Sequence, residues 1–166
     1  MIRRLALVNA VAMIAMLCAS TAGAKADSVS FTISGAGSES SGACTVAGYG
    51  NICRSGACMC LTVPSGKVTG SFTGSGEVFA TIDTGNPGLQ CQPVFITANA
   101  TLTHKKVTQT SVLNLLAVLC PTGAAHHSLT GGWGIESSSD QSTGKGTMTG
   151  TYNNNKVSIT LKGTIE

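Results

Sequence analysis

Cysteines are the residues of this chain with the clearest capacity for chemistry. Cys53, Cys58 and Cys60 lie close together, and Cys44 precedes them. Thiolates bind copper(I) and zinc, so one interpretation of this spacing is a soft-metal or redox site. The other is a set of structural disulfides. On an extended segment Cys58 and Cys60 point to the same face, where each can reach a partner on a neighbouring strand or loop.

The start of the chain favours the disulfide interpretation. Arg3 and Arg4 precede an apolar run over residues 5–17, and small residues follow, which predicts a signal peptide, residues 1–24, cleaved near residue 24 or 26. Its removal discards Cys18, one of seven cysteines, and leaves an even six. An even number in an exported chain predicts disulfides formed in an oxidising compartment, and no metal or cofactor. The disulfide candidates are Cys44, Cys53, Cys58, Cys60, Cys91 and Cys120.

The charge of the mature chain argues against nucleic acid as a partner. The full sequence has ten Lys and Arg against seven Asp and Glu. Loss of Arg3 and Arg4 leaves eight against seven, a net charge of +1, and loss of Lys25 as well makes it zero. A near-neutral domain has no basic footprint for a phosphate backbone. The mature sequence also has no segment apolar enough for an integral membrane helix.

Two further features are candidate ligand-binding residues. His126 and His127 are adjacent, and histidines of this kind act as metal ligands or as acid and base. Because neighbours on a strand point to opposite faces, a polar loop pair is the favoured alternative. Trp133, between two glycines, either stacks on a ligand at a barrel mouth or caps the core. His104, beside two lysines, is interpreted as part of a solvated turn at a strand end.

The acidic residues and serines show no catalytic pattern. No spacing pairs two carboxylates as acid and base, although distant strands can bring such pairs together. No Gly-x-Ser-x-Gly elbow occurs with a following triad order. Enzymatic activity is therefore left open, with the balance against it. The carboxylates are Asp27, Glu39, Glu77, Asp83, Glu136, Asp140 and Glu166.

The elements that must position these residues are predicted to be β-strands. Thr, Ser, Gly and Val are abundant and Glu, Lys and Arg scarce, which favours pleated structure over helix. From Val94 to Thr103 apolar residues alternate with mostly polar ones, as in a half-buried antiparallel strand. Residues 146–152 and 157–165 alternate in the same way around three asparagines, which predicts a hairpin.

Other strands are predicted at residues 29–33, 67–73, 77–83 and 129–135. The second and third of these form a hairpin with its turn at Gly74–Gly76. Residues 112–119 are apolar on both faces, so they form either a central strand covered on both sides or a short buried helix, and the surrounding strands favour the strand.

The predicted fold class is all-β: a small antiparallel β-barrel stapled by disulfides, with a two-sheet β-sandwich as the alternative. Residues 27–166 form a single domain in this prediction, with residues 34–66 an irregular segment rich in Gly, Ser and Cys. Glycines on the inward face favour the barrel, because close backbone approach requires them there. These are Gly70, Gly146, Gly150 and Gly163.

The last quarter of the chain also resembles a known family. Residues 129–134 (LTGGWG), 144–152 (GKGTMTGTY) and 161–165 (LKGTI) are similar to the closing strands of small secreted barrels of the allene-oxide-cyclase-like and dirigent-like type. The chain departs from that pattern at residues 133–136 and in its cysteine-rich segment. The resemblance implies a barrel with an apolar interior and carries over no catalytic residue.

The expected function is that of a secreted or periplasmic, disulfide-stabilised, non-catalytic binding or envelope protein. Its partner would be a small apolar ligand or another protein. One alternative is a barrel enzyme or carrier that holds a small apolar ligand inside, as a cyclase does. A third is copper or redox handling through Cys58, Cys60 and the histidines.

Overall fold

The computed structural model describes residues 26–41, 44–46, 50–51, 58–85 and 88–166. The predicted signal peptide and Cys53 lie outside these ranges. In them the chain forms eleven strands: β1 (Asp27–Ala36), β2 (Ser38–Ser41), β3 (Thr45–Val46), β4 (Gly50–Asn51), β5 (Cys58–Gly70), β6 (Thr73–Asp83), β7 (Gln92–His104), β8 (Val107–Gly123), β9 (His126–Ser138), β10 (Gly144–Asn153) and β11 (Lys156–Ile165).

Eight of the described strands close into an antiparallel barrel. The order runs β1-β11-β10-β9-β8-β7-β6-β5, and β1 pairs with β5 to complete the circle. All these pairings are antiparallel, so hairpins alone connect β5 to β11 in succession. Closure removes the exposed sheet edges that an open sheet would leave. The predicted all-β fold class is confirmed, and of the two predicted architectures the β-barrel is correct and the β-sandwich is not.

The predicted alternation in β7 is confirmed for its inward face, whereas the outward Thr97 is also buried, at 2% exposed. Its inward positions are all at most 4% exposed. The outward positions include the exposed Asn99 and Thr101. The inner face is thus packed and the outer face is solvated at Asn99 and Thr101, as period-two alternation predicts. The buried side chains are Val94, Ile96, Ala98, Ala100 and Leu102.

The C-terminal hairpin also forms as predicted. Strands β10 and β11 pair along their whole length. Gly144 lies opposite Ile165 at one end, and Asn153 lies opposite Lys156 at the other. The two connecting residues, Asn154 and Asn155, have φ angles of 45° and 63°. Asparagine tolerates this left-handed conformation better than most residues, which is why the turn forms here.

The hairpin between β5 and β6 turns earlier than predicted. Ser71 and Phe72 form the connection, and Gly74–Gly76 lie within β6, paired with Val68, Lys67 and Gly66. Gly70 has a φ of 115°, which favours glycine, and a Cβ there would lie 2.5 Å from the Ser30 carbonyl oxygen. Phe72, 6% exposed, folds into the barrel end, and this burial holds the turn at that point.

The segment predicted to be irregular, residues 34–66, contains more strand than expected. After Gly37, β2 continues along the same partner as β1, because Ser38 to Ser41 pair with Thr62 to Met59 of β5. The prediction missed β5 at its start because a bulge between Val63 and Gly66, which contains Pro64, interrupts the alternation.

Residues 112–119 belong to β8, so the strand is correct and the helix is not. The expectation of cover on both faces is wrong. Leu113, Leu115 and Leu119 are buried inside the barrel, whereas Leu116 and Val118 are 67% and 42% exposed on the outer wall. The exposed apolar side chains on the outer face gave this segment the same continuous apolar sequence as a strand buried on both faces.

This orientation gives a matched pair of substitutions. We expect Leu115→Ala to lower the free energy of unfolding by about 3 kcal/mol, since a fully buried leucine leaves a cavity. Leu116→Ala, at the adjacent but exposed position, is expected to change it by less than about 0.5 kcal/mol. Urea unfolding of both variants is the measurement. Equal losses would contradict the inward and outward assignment of β8.

Candidate functional site

The barrel interior is filled by side chains. Phe31, Met148 and Leu161 are at most 1% exposed. Along the inner wall formed by residues such as Val78, Ile96 and Ile159 there is a cavity of only about 10 Å³. A single water molecule needs roughly 10–15 Å³ of this kind of volume. In this conformation the interior has no room for an apolar ligand at that place.

Trp133 lies inside the barrel and not at its mouth. The residue is 4% exposed, and its ring meets Phe31 edge-on at a centroid distance of 5.9 Å. Its indole Nε1 donates a hydrogen bond to the Lys162 carbonyl oxygen at 3.1 Å. This placement favours the core-capping alternative over the ligand-stacking one.

Two glycines make room for the indole. Gly146 lies opposite Trp133 on β10, and Gly163 lies opposite Gly146 on β11. A Cβ on Gly146 would overlap the Lys162 carbonyl oxygen and lie 2.6 Å from Gly163 Cα. The absence of side chains on both lets the indole cross β10 and reach the backbone of β11.

The barrel end at which β1 begins carries an open cleft of about 580 Å³. Three connections meet there: Ser71–Phe72, Lys105–Lys106 and residues 139–143. Apolar side chains form part of its wall, namely Val29, Phe72, Val107 and Ile165. Ionisable or amide side chains form the rest, namely Asp27, His104, Lys105, Gln109, Asp140 and Glu166. Its volume is within the range of roughly 300–1,000 Å³ typical of small-molecule sites.

His104 is held against the wall of this cleft. Its Nδ1 lies 2.7 Å from the Ser71 carbonyl oxygen, and its ring lies 5.5 Å from that of Phe72. A carbonyl only accepts hydrogen bonds, so the Nδ1 of the imidazole carries the proton. In the neutral ring, Nε2 is then the acceptor.

Asp140 is oriented by a network of serines. Its Oδ1 accepts hydrogen bonds from Ser138 Oγ at 2.6 Å and from the Ser142 backbone nitrogen at 3.1 Å. The hydrogen bond from Ser138 lowers the pKa of the Asp140 carboxyl below its usual value, against an opposing desolvation effect. The carboxylate is therefore ionised at neutral pH.

Gln109 is the most buried polar residue of the cleft wall, at 9% exposed. Its Nε2 donates weak hydrogen bonds to Ser111 Oγ at 3.4 Å and Ser142 Oγ at 3.5 Å. Within the described part of the chain, its carbonyl oxygen accepts no hydrogen bond. This oxygen is not fully buried, so it is open to solvent or to a ligand at the cleft wall.

The opposite barrel end holds the disulfides. Cys44 is bonded to Cys60, and Cys91 is bonded to Cys120, with Cα separations of 5.6 and 4.3 Å. Cys58 is disulfide-bonded as well. Cys58 and Cys60 each have a partner other than one another, as strand geometry predicted. Their sulfurs are not thiolates, and the ranges described contain no group of three or more residues able to hold a metal ion.

The two adjacent histidines are the first residues of β9 and point to opposite faces of the strand, as expected for strand neighbours. His126 is exposed and His127 is partly buried. The His127 ring stacks on Tyr152 at 6.0 Å, which covers this end of the interior. They lie at the disulfide end and do not line the cleft.

A second hollow, on the outer wall of the barrel, is lined mainly by uncharged polar side chains. A depression of about 410 Å³ there is lined by Asn99, Thr101, Thr110, Ser137 and neighbouring residues, with no ionisable side chain among them. Leu116 and Val118 form a small exposed apolar area on the same wall. Of these two surface hollows, the cleft is the one whose wall combines apolar and charged side chains.

Sequence reasoning missed the cleft residues as a group. Asp27, His104, Asp140 and Glu166 are far apart in sequence and were interpreted singly. Because successive strands run in opposite directions, every second connection lies at the same end of the barrel. These four residues all lie at strand ends or connections of that one end. A signal was available: each lies at a predicted strand end or connection, on the same side of an up-and-down arrangement.

No known family model, curated protein or solved structure matches the chain significantly. The family resemblance of the closing strands therefore stays a prediction. In the described residues there is no helix with the length and apolarity needed to span a bilayer.

Proposed function

We propose that this chain is a secreted or periplasmic, non-catalytic binding protein that takes a small ligand in the cleft at the β1 end of the barrel. The observation that carries the proposal is the contrast in volume. The cleft offers about 580 Å³ and the inner cavity about 10 Å³. The disulfides and the signal-like start of the chain support export.

The arrangement of the cleft favours binding over catalysis. His104 has a fixed proton on Nδ1, but its hydrogen-bond partner is a backbone carbonyl and not a carboxylate. Asp140 is engaged with serines and a backbone nitrogen that shape its own loop. These contacts make a rigid wall of acceptors and apolar groups, as a ligand site requires.

The two alternatives have less support. A carrier or cyclase-like barrel needs interior space, and aromatic and aliphatic side chains occupy it. Copper or redox handling through Cys58 and Cys60 needs free thiolates, and both cysteines are in disulfides.

A fragment screen by NMR tests the proposal, with disulfide-bonded protein exported by its own host. We expect binding fragments to shift amide signals of Ser71, Phe72, Lys105 and residues 139–143. Val107→Arg, a 63% exposed residue at the cleft, should weaken these fragments by occluding it. Val118→Arg, 42% exposed on the outer wall, is the matched control and should not. Retention in the cytoplasm would contradict export, and fragments that bind only elsewhere would contradict the site.

A further inference from the structure

We propose that the cleft is selective for an organic ammonium ion with an apolar body, which rests on the proposed function and names the ligand class of that same site. The polar atoms that the cleft offers are mostly acceptors. Three carboxylates line it, from Asp27, Asp140 and Glu166, against one lysine, Lys105. The side chains that line the cleft therefore include more acidic than basic groups.

Gln109 contributes an acceptor to the cleft wall that does not depend on this charge. The residue is only 9% exposed, but its carbonyl oxygen is not fully buried and accepts no hydrogen bond within the described residues. Its Nε2 is directed to Ser111 and Ser142, which leaves the oxygen at the cleft wall. An acceptor without a protein partner that is open to the cleft favours an N–H donor over an anion.

His104 adds a second acceptor. Because Nδ1 is protonated towards the Ser71 carbonyl, the Nε2 lone pair is the remaining hydrogen-bonding group of the neutral ring. An alkylammonium has three N–H donors and no acceptor. The donor pattern of a primary amine therefore complements the cleft, whereas that of a carboxylate does not.

The apolar wall specifies the other part of the ligand. Phe72 is 6% exposed and fixed by ring contacts with Phe31 at 5.2 Å and His104 at 5.5 Å. Val29 and Ile165 line the same cleft. A rigid aromatic and aliphatic wall gives an apolar body a surface that is already organised, and an ammonium beside an aromatic face gains a cation–π attraction.

Three probes of similar shape and different charge test the inference. NMR titration of the disulfide-bonded protein uses 2-phenylethylamine, 2-phenylethanol and 3-phenylpropionate. We expect the amine to bind about tenfold more tightly than the alcohol, because its hydrogen bonds are charge-assisted. The propionate should bind most weakly, and added salt should reduce the preference for the amine.

A charge-changing variant sharpens the test. Gln109→Glu should raise affinity for the amine and lower it for the propionate, since the new carboxylate replaces a neutral acceptor. Thr101→Glu, exposed on the outer wall, adds the same charge and should leave both affinities unchanged. If Gln109→Glu does not fold, the combination of Asp27→Asn and Glu166→Gln, both exposed residues, should reduce amine binding severalfold.

The outcomes separate the two proposals. Equal affinity for amine and alcohol, with shifts at the cleft, would overturn the ammonium assignment and leave the binding site in place. Tighter binding of the propionate would also overturn the assignment. If none of the three probes shifts the cleft amides, the ammonium assignment falls, and the fragment screen decides separately on the site.

Discussion

Gly146→Ala is expected to destabilise the barrel by about 3 kcal/mol, although it adds a single methyl group. The added Cβ would overlap the Lys162 carbonyl oxygen and lie 2.6 Å from Gly163 Cα. Both are backbone atoms of β11, so rotation of a side chain cannot relieve the contact. The strand pair β10–β11 must separate locally, which weakens its ladder and displaces the Trp133 indole.

The control is another glycine from the same part of the wall. Gly132 is exposed on the adjacent strand β9, and a Cβ there would be 3.5 Å from its nearest neighbour, the Gly146 carbonyl oxygen. Gly132→Ala is expected to change stability by less than about 0.5 kcal/mol. Guanidinium unfolding of the two variants gives the comparison. If Gly146→Ala is as stable as Gly132→Ala, the close approach of β10 and β11 described above is incorrect.

These glycines show how far the sequence predicts the fold. Alternation in residues 94–103 and 146–165 predicts strands, their inward faces and the final turn, because side-chain direction has period two along any strand. Gly146 and Gly163 were also predicted to face inward. Nothing local indicates which strand lies next to which, so their position beneath Trp133 becomes visible only with the register.

The failures have local causes too. Gly74–Gly76 was predicted as a turn on composition, but the burial of Phe72 favours a turn three residues earlier. Residues 112–119 were predicted to be covered on both faces, because composition does not distinguish an exposed Leu116 from a buried Leu115. Burial depends on the neighbouring strands, and these are distant in sequence.

The cleft was the hardest feature to predict. His104 in a turn with two lysines looks solvated when taken alone. Its fixed tautomer depends on the Ser71 carbonyl, 33 residues away in sequence. Gln109 has no distinguishing sequence context at all. Functional groups on turns acquire their surroundings from barrel closure, which single-sequence patterns do not encode.

Trp133→Ala is the second substitution with a large expected effect. The indole is buried in the barrel interior, and its removal should lower the free energy of unfolding by about 4 kcal/mol. Part of this loss comes from packing against Phe31 and part from the hydrogen bond to the Lys162 carbonyl oxygen. Trp133→Phe keeps a ring against Phe31 and loses the donor, so we expect a smaller loss of about 1–2 kcal/mol.

This substitution also separates the two roles that the sequence leaves open for Trp133. Phe31 links Trp133 to Phe72, with ring distances of 5.9 and 5.2 Å, and Phe72 lines the cleft. A core residue therefore affects the cleft only through stability and the support of Phe72. We expect Trp133→Phe, which preserves that support, to bind 2-phenylethylamine within about twofold of the parent protein. A ligand-stacking residue would give the opposite pattern: little loss of stability in Trp133→Ala, and a large loss of amine affinity in both variants.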